Sequence, residues 1–140
     1  WGNYVNKELF GPPTSLPWGM FVPPENRPAI YRYNDTFHPL FLYESLLDIL
    51  LFFALLLLYQ RKTMLEKNKK ADKPLYTLKG FFTLAYLIGY GLIRYSTEFI
   101  RIETWIINGV NITQLISLFF VIFGILGIYY ISNFLTTSKK

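Results

Sequence analysis

Hydrophobic residues in this chain are gathered into long runs separated by polar and charged segments. PLFLYESLLDILLFFALLLLY extends from about Pro39 to Tyr59, interrupted by Glu44 and Asp48 near its start. A second run extends from about Gly80 to Arg101 and carries no charge until Arg94; a third, from about Gln114 to Leu135, carries none. Each is close to the roughly 20 residues that an α-helix, rising about 1.5 Å per residue, needs to cross a hydrocarbon core. The pattern predicts an all-α integral membrane protein with transmembrane helices over 38–60, 80–101 and 114–135. None of these runs lies at the N-terminus behind a basic start, so none reads as a cleavable signal peptide.

Residues 1–37 differ in kind. Pro12, Pro13, Pro17, Pro23, Pro24 and Pro28, with Gly2, Gly11 and Gly19, oppose a long helix and favour turns and short extended pieces. The expectation is an irregular extracytoplasmic cap over the outer helix ends, with Trp18, Phe21 and Tyr33 at the headgroup level. A segment this short is expected to pack on the membrane or on something outside the chain rather than around a core of its own. The chain starts at Trp1 with no initiator methionine. It therefore reads as the C-terminal portion of a longer protein, its helices belonging to a larger bundle.

Composition agrees with a membrane setting: 52% of residues are hydrophobic, 19% aromatic and only 16% charged, against about a quarter charged in soluble domains. With no cysteine, the chain has no disulfide framework and no thiol nucleophile. The net charge of +5 could suit nucleic acid, so the placement of the charges decides. Arg61, Lys62, Lys67, Lys69, Lys70, Lys73 and Lys79 fall in the linker 61–79, and Lys139 and Lys140 in the tail 136–140. By the positive-inside rule both segments are cytoplasmic. The loop 102–113 has no basic residue and segment 1–37 only Lys7, Arg27 and Arg32, so both face outside. The excess is an orientation signal, and no nucleic-acid partner is expected.

Chemistry concentrates near the outer helix ends. In GYGLIRYSTEFIR, residues 89–101, Tyr90, Arg94, Glu98 and Arg101 are spaced 4, 4 and 3 apart, within about an 80° arc of one helix face. Charges inside a span are costly and usually face a partner or a wet cavity. One reading is an i,i+4 pair of Arg94 with Glu98, with Arg101 reaching the interface. The other is an anion site in which Arg94 grips a phosphate, Glu98 orients the guanidinium and Tyr90 donates a hydrogen bond one turn deeper. A phospholipid headgroup is the anion naturally present at that depth. His38, the sole histidine, stands just before Pro39 at the entry of the first span and suits proton transfer. Glu44 and Asp48 share a face and suit pairing with arginines of neighbouring helices. Asn3, Asn6 and Glu8 offer amide and carboxylate hydrogen bonds, and Gly11, like Gly2, permits tight turns or close approach to a ligand. No metal site or cofactor is implied by one histidine and scattered carboxylates. Gly124 and Gly127 permit close helix packing, although the third span reads mainly as a lipid-facing wall.

Four blocks carry a family resemblance: GNYVNKELFG at 2–11, PTSLPWGMF at 13–21, HPLFLYE at 38–44 and YGLIRYSTEFIR at 90–101. Together they resemble the prolipoprotein diacylglyceryl transferases of bacterial inner membranes. Gly2, Asn3, Asn6, Glu8 and Gly11 match the family signature Arg-x-Gly-Asn-Phe-x-Asn-x-Glu-x-x-Gly, Tyr4 replaces its phenylalanine, and its arginine, absent from this chain, would fall immediately before Trp1. Arg94 matches the arginine of the family's Tyr-Gly-x-x-Arg-x-x-x-Glu-x-x-Arg helix, with Tyr90, Glu98 and Arg101 in register. His38, Pro39, Leu42, Tyr43 and Glu44 match a His-Pro-x-x-Leu-Tyr-Glu block; Leu40 and Phe41 replace a hydroxyl residue and a glutamine, and Phe37 stands where arginine is common.

The resemblance implies transfer of diacylglyceryl from phosphatidylglycerol to the lipobox cysteine thiol of a preprolipoprotein, on the extracytoplasmic side of the bacterial cytoplasmic membrane, releasing glycerol-1-phosphate. It implies a catalytic set of Arg94, Tyr90 and His38 and a substrate-binding set of Asn3, Asn6, Glu8, Gly11, Glu98 and Arg101, with His38 secondary as a base because the family has a further essential histidine upstream. Missing that histidine and the signature arginine, the chain by itself is expected to be inactive. Two other readings stay open: a non-catalytic transporter or assembly subunit with a structural Arg–Glu pair, and a related lipid-modifying enzyme with another donor.

Overall fold

The computed structural model describes residues 2–67 and 74–137. Lys69, Lys70 and Lys73 of the basic linker, Trp1, and Lys139 and Lys140 of the tail lie outside the described residues. The apolar runs form long helices: α2 spans Leu40–Lys67, α3 Phe81–Glu98 and α4 Ile112–Thr137, after a short α1 at Gly2–Asn6. α2 extends past Tyr59 into the basic segment, because Gln60 to Lys67 contains neither proline nor glycine to stop it.

α2 and α4 are long and apolar enough to cross a membrane. Their side chains point outward: Leu46, Ile49, Leu50, Phe52 and Leu57 on α2, and Leu115, Phe119, Ile122, Ile125 and Leu126 on α4, are all exposed. Water would penalise such surfaces and lipid would not. The 18-residue α3 includes Arg94 and Glu98 and lies between the other two, packed on both.

Glycine governs how closely these helices approach. A Cβ on Gly91 would lie 2.7 Å from the backbone oxygen of Ser117 and 2.9 Å from Val121 Cγ2, and one on Gly124 would lie 2.9 Å from the backbone oxygen of Leu84. The α3 and α4 backbones therefore touch through bare glycine surface. Gly127 likewise abuts Leu84. The glycine face of α4 is thus a packing face rather than a lipid-facing wall, and only its other faces are bare.

The N-terminal segment differs from the coreless cap expected from its length. β1, Met20–Phe21, pairs antiparallel with β2, Thr36–Phe37, in the register Met20 opposite Phe37 and Phe21 opposite Thr36. Phe10, Met20, Val22 and Phe37 form a buried cluster, against which Tyr31, Phe41 of α2 and Ile102 pack. Arg27 closes the connection between the strands: its Nε donates to Val22 O at 2.8 Å, and its Nη2 pairs with Asp35 at 2.9 Å. Trp18, Phe21 and Tyr33 are exposed. After α3, Ile106–Ile107 (β3) and Val110–Asn111 (β4) form a hairpin. Its turn residues Asn108 and Gly109 have φ of 49° and 80°, the left-handed pair that two-residue hairpin turns select.

Replacing Gly91 with alanine is expected to lower stability in detergent by about 1–3 kcal/mol, because the new methyl meets a backbone oxygen that cannot rotate away. Gly2→Ala, with nothing within 4 Å of the added Cβ, is expected to change it by less than about 0.5 kcal/mol. Thermal unfolding of the two variants checks the difference.

Candidate functional site

The antiparallel run of helices brings the start of α2, the end of α3 and the start of α4 together beneath the cap. Backbone bonds join cap to helix here. Phe41 N–H donates to Leu9 O at 3.2 Å, Gly11 N–H to His38 O at 2.8 Å and His38 N–H to Pro12 O at 3.1 Å. The cap thereby supplies an acceptor for one of the unpaired N–H groups at the start of α2.

Charged side chains from α2 and α3 meet just inside this junction. Arg94 Nη1 donates to both carboxylate oxygens of Glu44, each at 2.7 Å. Arg94 Nη2 lies 3.9 Å from Glu98 Oε2, and the Glu98 side chain is fully buried. Arg101 Nη1 reaches the same Glu98 oxygen at 3.5 Å, while Asn111 Nδ2 donates to Glu98 Oε1 at 3.2 Å. Asn111 Oδ1 in turn accepts from Gln114 N–H at 3.1 Å, capping the start of α4. The expected i,i+4 pair of Arg94 with Glu98 is therefore the looser of two contacts. Glu44, from the neighbouring helix, is the principal partner that orients the guanidinium, as its place on the α2 face suggested.

The remaining sequence-derived candidates fall into distinct places. The Tyr90 ring stacks on Tyr86 and packs against Phe120 of α4, building the α3–α4 contact below Arg94. His38 Nδ1 shares a hydrogen bond of 2.9 Å with the Tyr43 hydroxyl, which also accepts from Trp18 Nε1 at 2.9 Å. His38 thus belongs to an aromatic network that ties cap to α2, separate from the Arg94 cluster. Gly11 is buried with His38 Cβ and the backbone oxygen of Ile100 each 3.2 Å from where its Cβ would stand, so its close approach is to the protein itself.

Glu8 and Arg101 line one cleft of about 190 Å³ with Leu9, Phe10 and Glu103, and Asn6 and Glu8 line a wider adjoining hollow of about 470 Å³. Asn3 O accepts from Glu8 N–H at 3.0 Å, setting the turn after α1. On either side of Glu8, Lys7 and Leu9 hold φ of 56° and 52°, a conformation uncommon for side-chain-bearing residues that concentrates at functional sites. Arg101, which lines the cleft with this strained segment, reaches Glu98 beside Arg94. Asn111 escaped the sequence reading; its signal was an asparagine placed directly before an apolar run, the usual position of a helix cap.

Apolar helices bared to their surroundings, with an arginine–carboxylate cluster gathered at one end, define a helical membrane protein. The family model described as prolipoprotein diacylglyceryl transferase matches residues 1–130. The chain belongs to the prolipoprotein diacylglyceryl transferase family. It is 39% identical over 131 residues to the phosphatidylglycerol–prolipoprotein diacylglyceryl transferase of Synechococcus elongatus, covering 94% of this chain and 43% of that protein. The protein of the same name from Prochlorococcus marinus strain NATL1A is 41% identical over 137 residues, 92% of this chain and 43% of its own length. That from Parasynechococcus marenigrum is 39% identical over 141 residues, 95% of this chain and 48% of its own. The chain therefore spans less than half the length of these curated relatives. No solved structure matches it.

Removing one member of the Arg94–Glu44 pair leaves a charge stranded among apolar helices. Glu44→Ala is expected to cost about 2–4 kcal/mol, between the values for exposed and fully buried pairs. Replacing both by leucine is expected to restore most of that loss, since both charges of the pair are then gone and Glu98 keeps Arg101 and Asn111. Thermal unfolding of the single and double variants in one detergent measures both.

Proposed function

We propose that this chain forms the phosphate-gripping, membrane-embedded portion of an enzyme that moves diacylglyceryl from phosphatidylglycerol to the lipobox cysteine of a preprolipoprotein. The observation that carries this reading is the Arg94 guanidinium, held on one side by Glu44 at 2.7 Å and flanked by buried Glu98. A guanidinium is always charged, and with one terminal nitrogen anchored its planar fork keeps further donors for two oxygens of a phosphate.

In the proposed step the cysteine sulfur, once deprotonated, attacks the glyceryl carbon that bears the phosphodiester oxygen. A C–S bond forms, the C–O bond breaks, and its electron pair leaves on the phosphate as glycerol-1-phosphate. Arg94 binds the phosphate and meets the charge that grows on the departing oxygen. Glu44 and Glu98 position Arg94, Arg101 and Glu8 shape the headgroup cleft with Asn3 and Asn6, and Tyr90 supports the helix face beneath. The zero cysteines of the chain fit a nucleophile that arrives with its substrate. His38, already engaged with Tyr43, serves in placing the cap.

The same proposal places α2, α3 and α4 across the bacterial cytoplasmic membrane, with 1–37 and 102–113 outside and the basic 61–79 and the tail inside. At 18 residues, or about 27 Å, α3 can still span because its charged end emerges at the site. The short Arg94–Glu44 contact also suits a non-catalytic reading in which the pair merely locks α2 to α3, and the two readings separate by assay. In the whole enzyme of which this chain is the proposed portion, Arg94→Lys, which keeps the charge and loses the planar fork, is expected to reduce diacylglyceryl transfer to a lipobox peptide by about 100-fold or more. Near-native turnover would remove the phosphate role and leave the structural pair. For topology, single cysteines introduced as Tyr33→Cys and Lys62→Cys should label from opposite faces of sealed vesicles, the first from outside.

A further inference from the structure

We infer that Asn111 is a positioning residue for this site, acting on Arg94 through Glu98; the inference rests on the diacylglyceryl-transfer reading above. Glu98 is a fully buried carboxylate, and its neighbours differ in quality. Arg94 stands at 3.9 Å and Arg101 at 3.5 Å, whereas the Asn111 amide at 3.2 Å is the nearest donor. Only the last lies within ordinary N–H···O hydrogen-bond range. A buried carboxylate deprived of its best donor turns toward whatever cation is near. Here the cations are Arg101, at 3.5 Å, and Arg94, at 3.9 Å and already bound by Glu44. A second close carboxylate on Arg94 would compete directly with an incoming phosphate.

The amide cannot turn away to relieve this arrangement. Its Oδ1 is committed to Gln114 N–H at 3.1 Å at the start of α4, which leaves Nδ2 facing Glu98. The backbone of Asn111 is likewise held, opposite Ile106 in the hairpin that the Asn108–Gly109 turn closes. Ile112 N–H bonds to Trp105 O at 3.0 Å just beyond. One side chain thus starts α4 and fixes where the Glu98 charge points. Glu98 holds back from Arg94 because Asn111 and Arg101 draw it toward the hairpin.

Three variants, Asn111→Asp, Glu98→Gln and the two combined, separate capping from positioning. Asn111→Asp retains a preferred capping oxygen for Gln114 N–H but removes the donor to Glu98 and sets a second carboxylate beside it. Asn111→Asp combined with Glu98→Gln exchanges donor and acceptor between the two positions. The assay is transfer from phosphatidylglycerol to a lipobox peptide in membranes containing the whole enzyme of which this chain is the proposed portion, with thermal unfolding in parallel. Asn111→Asp is expected to lower kcat/KM by at least about tenfold, the weight of one charge-assisted hydrogen bond. The double variant is expected to recover part of that loss and any loss of Tm. Activity of Asn111→Asp within about twofold of the parent, or a double variant whose loss is the product of the two single losses, overturns the coupling. A parent protein that transfers no diacylglyceryl overturns the functional reading and this inference with it, whereas an active parent with indifferent Asn111 overturns the inference alone.

Discussion

An arginine carried into a bundle of apolar helices must be met by negative charge, and that requirement organises this end of the molecule. Arg94 is met by Glu44 from the adjacent helix, both carboxylate oxygens accepting at 2.7 Å. The pair sets the register of α2 against α3, since a slide along either axis would strand a charge among apolar side chains. With α3 so placed, Gly91 and Gly124 let α4 approach to backbone contact. That approach encloses Glu98, which then needs donors of its own. Arg101 and Asn111 supply them, so that the beginning of α4, the hairpin before it and the guanidinium on α3 form one connected network.

The cap is joined to this network by backbone rather than by charge. Leu9, Gly11 and Pro12 exchange hydrogen bonds with Phe41 and His38 where α2 begins. The cluster of Phe10, Met20, Val22 and Phe37 holds the strands over that junction. Lys7 and Leu9 keep left-handed conformations in the same segment, a cost of order 1–3 kcal/mol per residue that the surrounding bonds must outweigh. The strain falls on either side of Glu8, which lines the cleft containing Arg101. For phosphoryl-bearing lipid chemistry such a site joins two environments. In the proposed function, arginine donors near the helix ends take the anionic group, while the bare apolar flanks of α2 and α4 suit acyl chains.

Much of the helical framework was legible in the residues because long apolar runs without proline admit few other structures. Arg94, Glu98 and Arg101 were visible as a polar stripe for the same reason: periodicity places residues on a helix face whatever surrounds it. Periodicity does not say which neighbour that face meets. Glu44 was open to pairing with any arginine of the bundle, and Glu98 stood as the guanidinium's expected partner until packing put Glu44 closer. Asn111 lay in a loop assigned no role, since its significance depends on a carboxylate thirteen residues earlier returning to its side.

The cap shows the same division. Its prolines and glycines announced turns and short strands, but its length argued against a core. Phe10, Met20, Val22 and Phe37 nevertheless converge, because Phe41 from α2 and Ile102 beyond α3 complete what the segment could not enclose alone. By itself, then, the sequence determined the helices, the stripe of charge on α3 and the family to which the blocks point, all properties of local spacing and composition. Tertiary structure alone decided that Glu44 is Arg94's principal partner, that Glu98 is drawn toward Asn111, and that the glycines of α4 face protein. Each depends on distances between segments far apart in the chain, and a charge or a bare backbone surface takes its energy from what lies within a few ångströms of it.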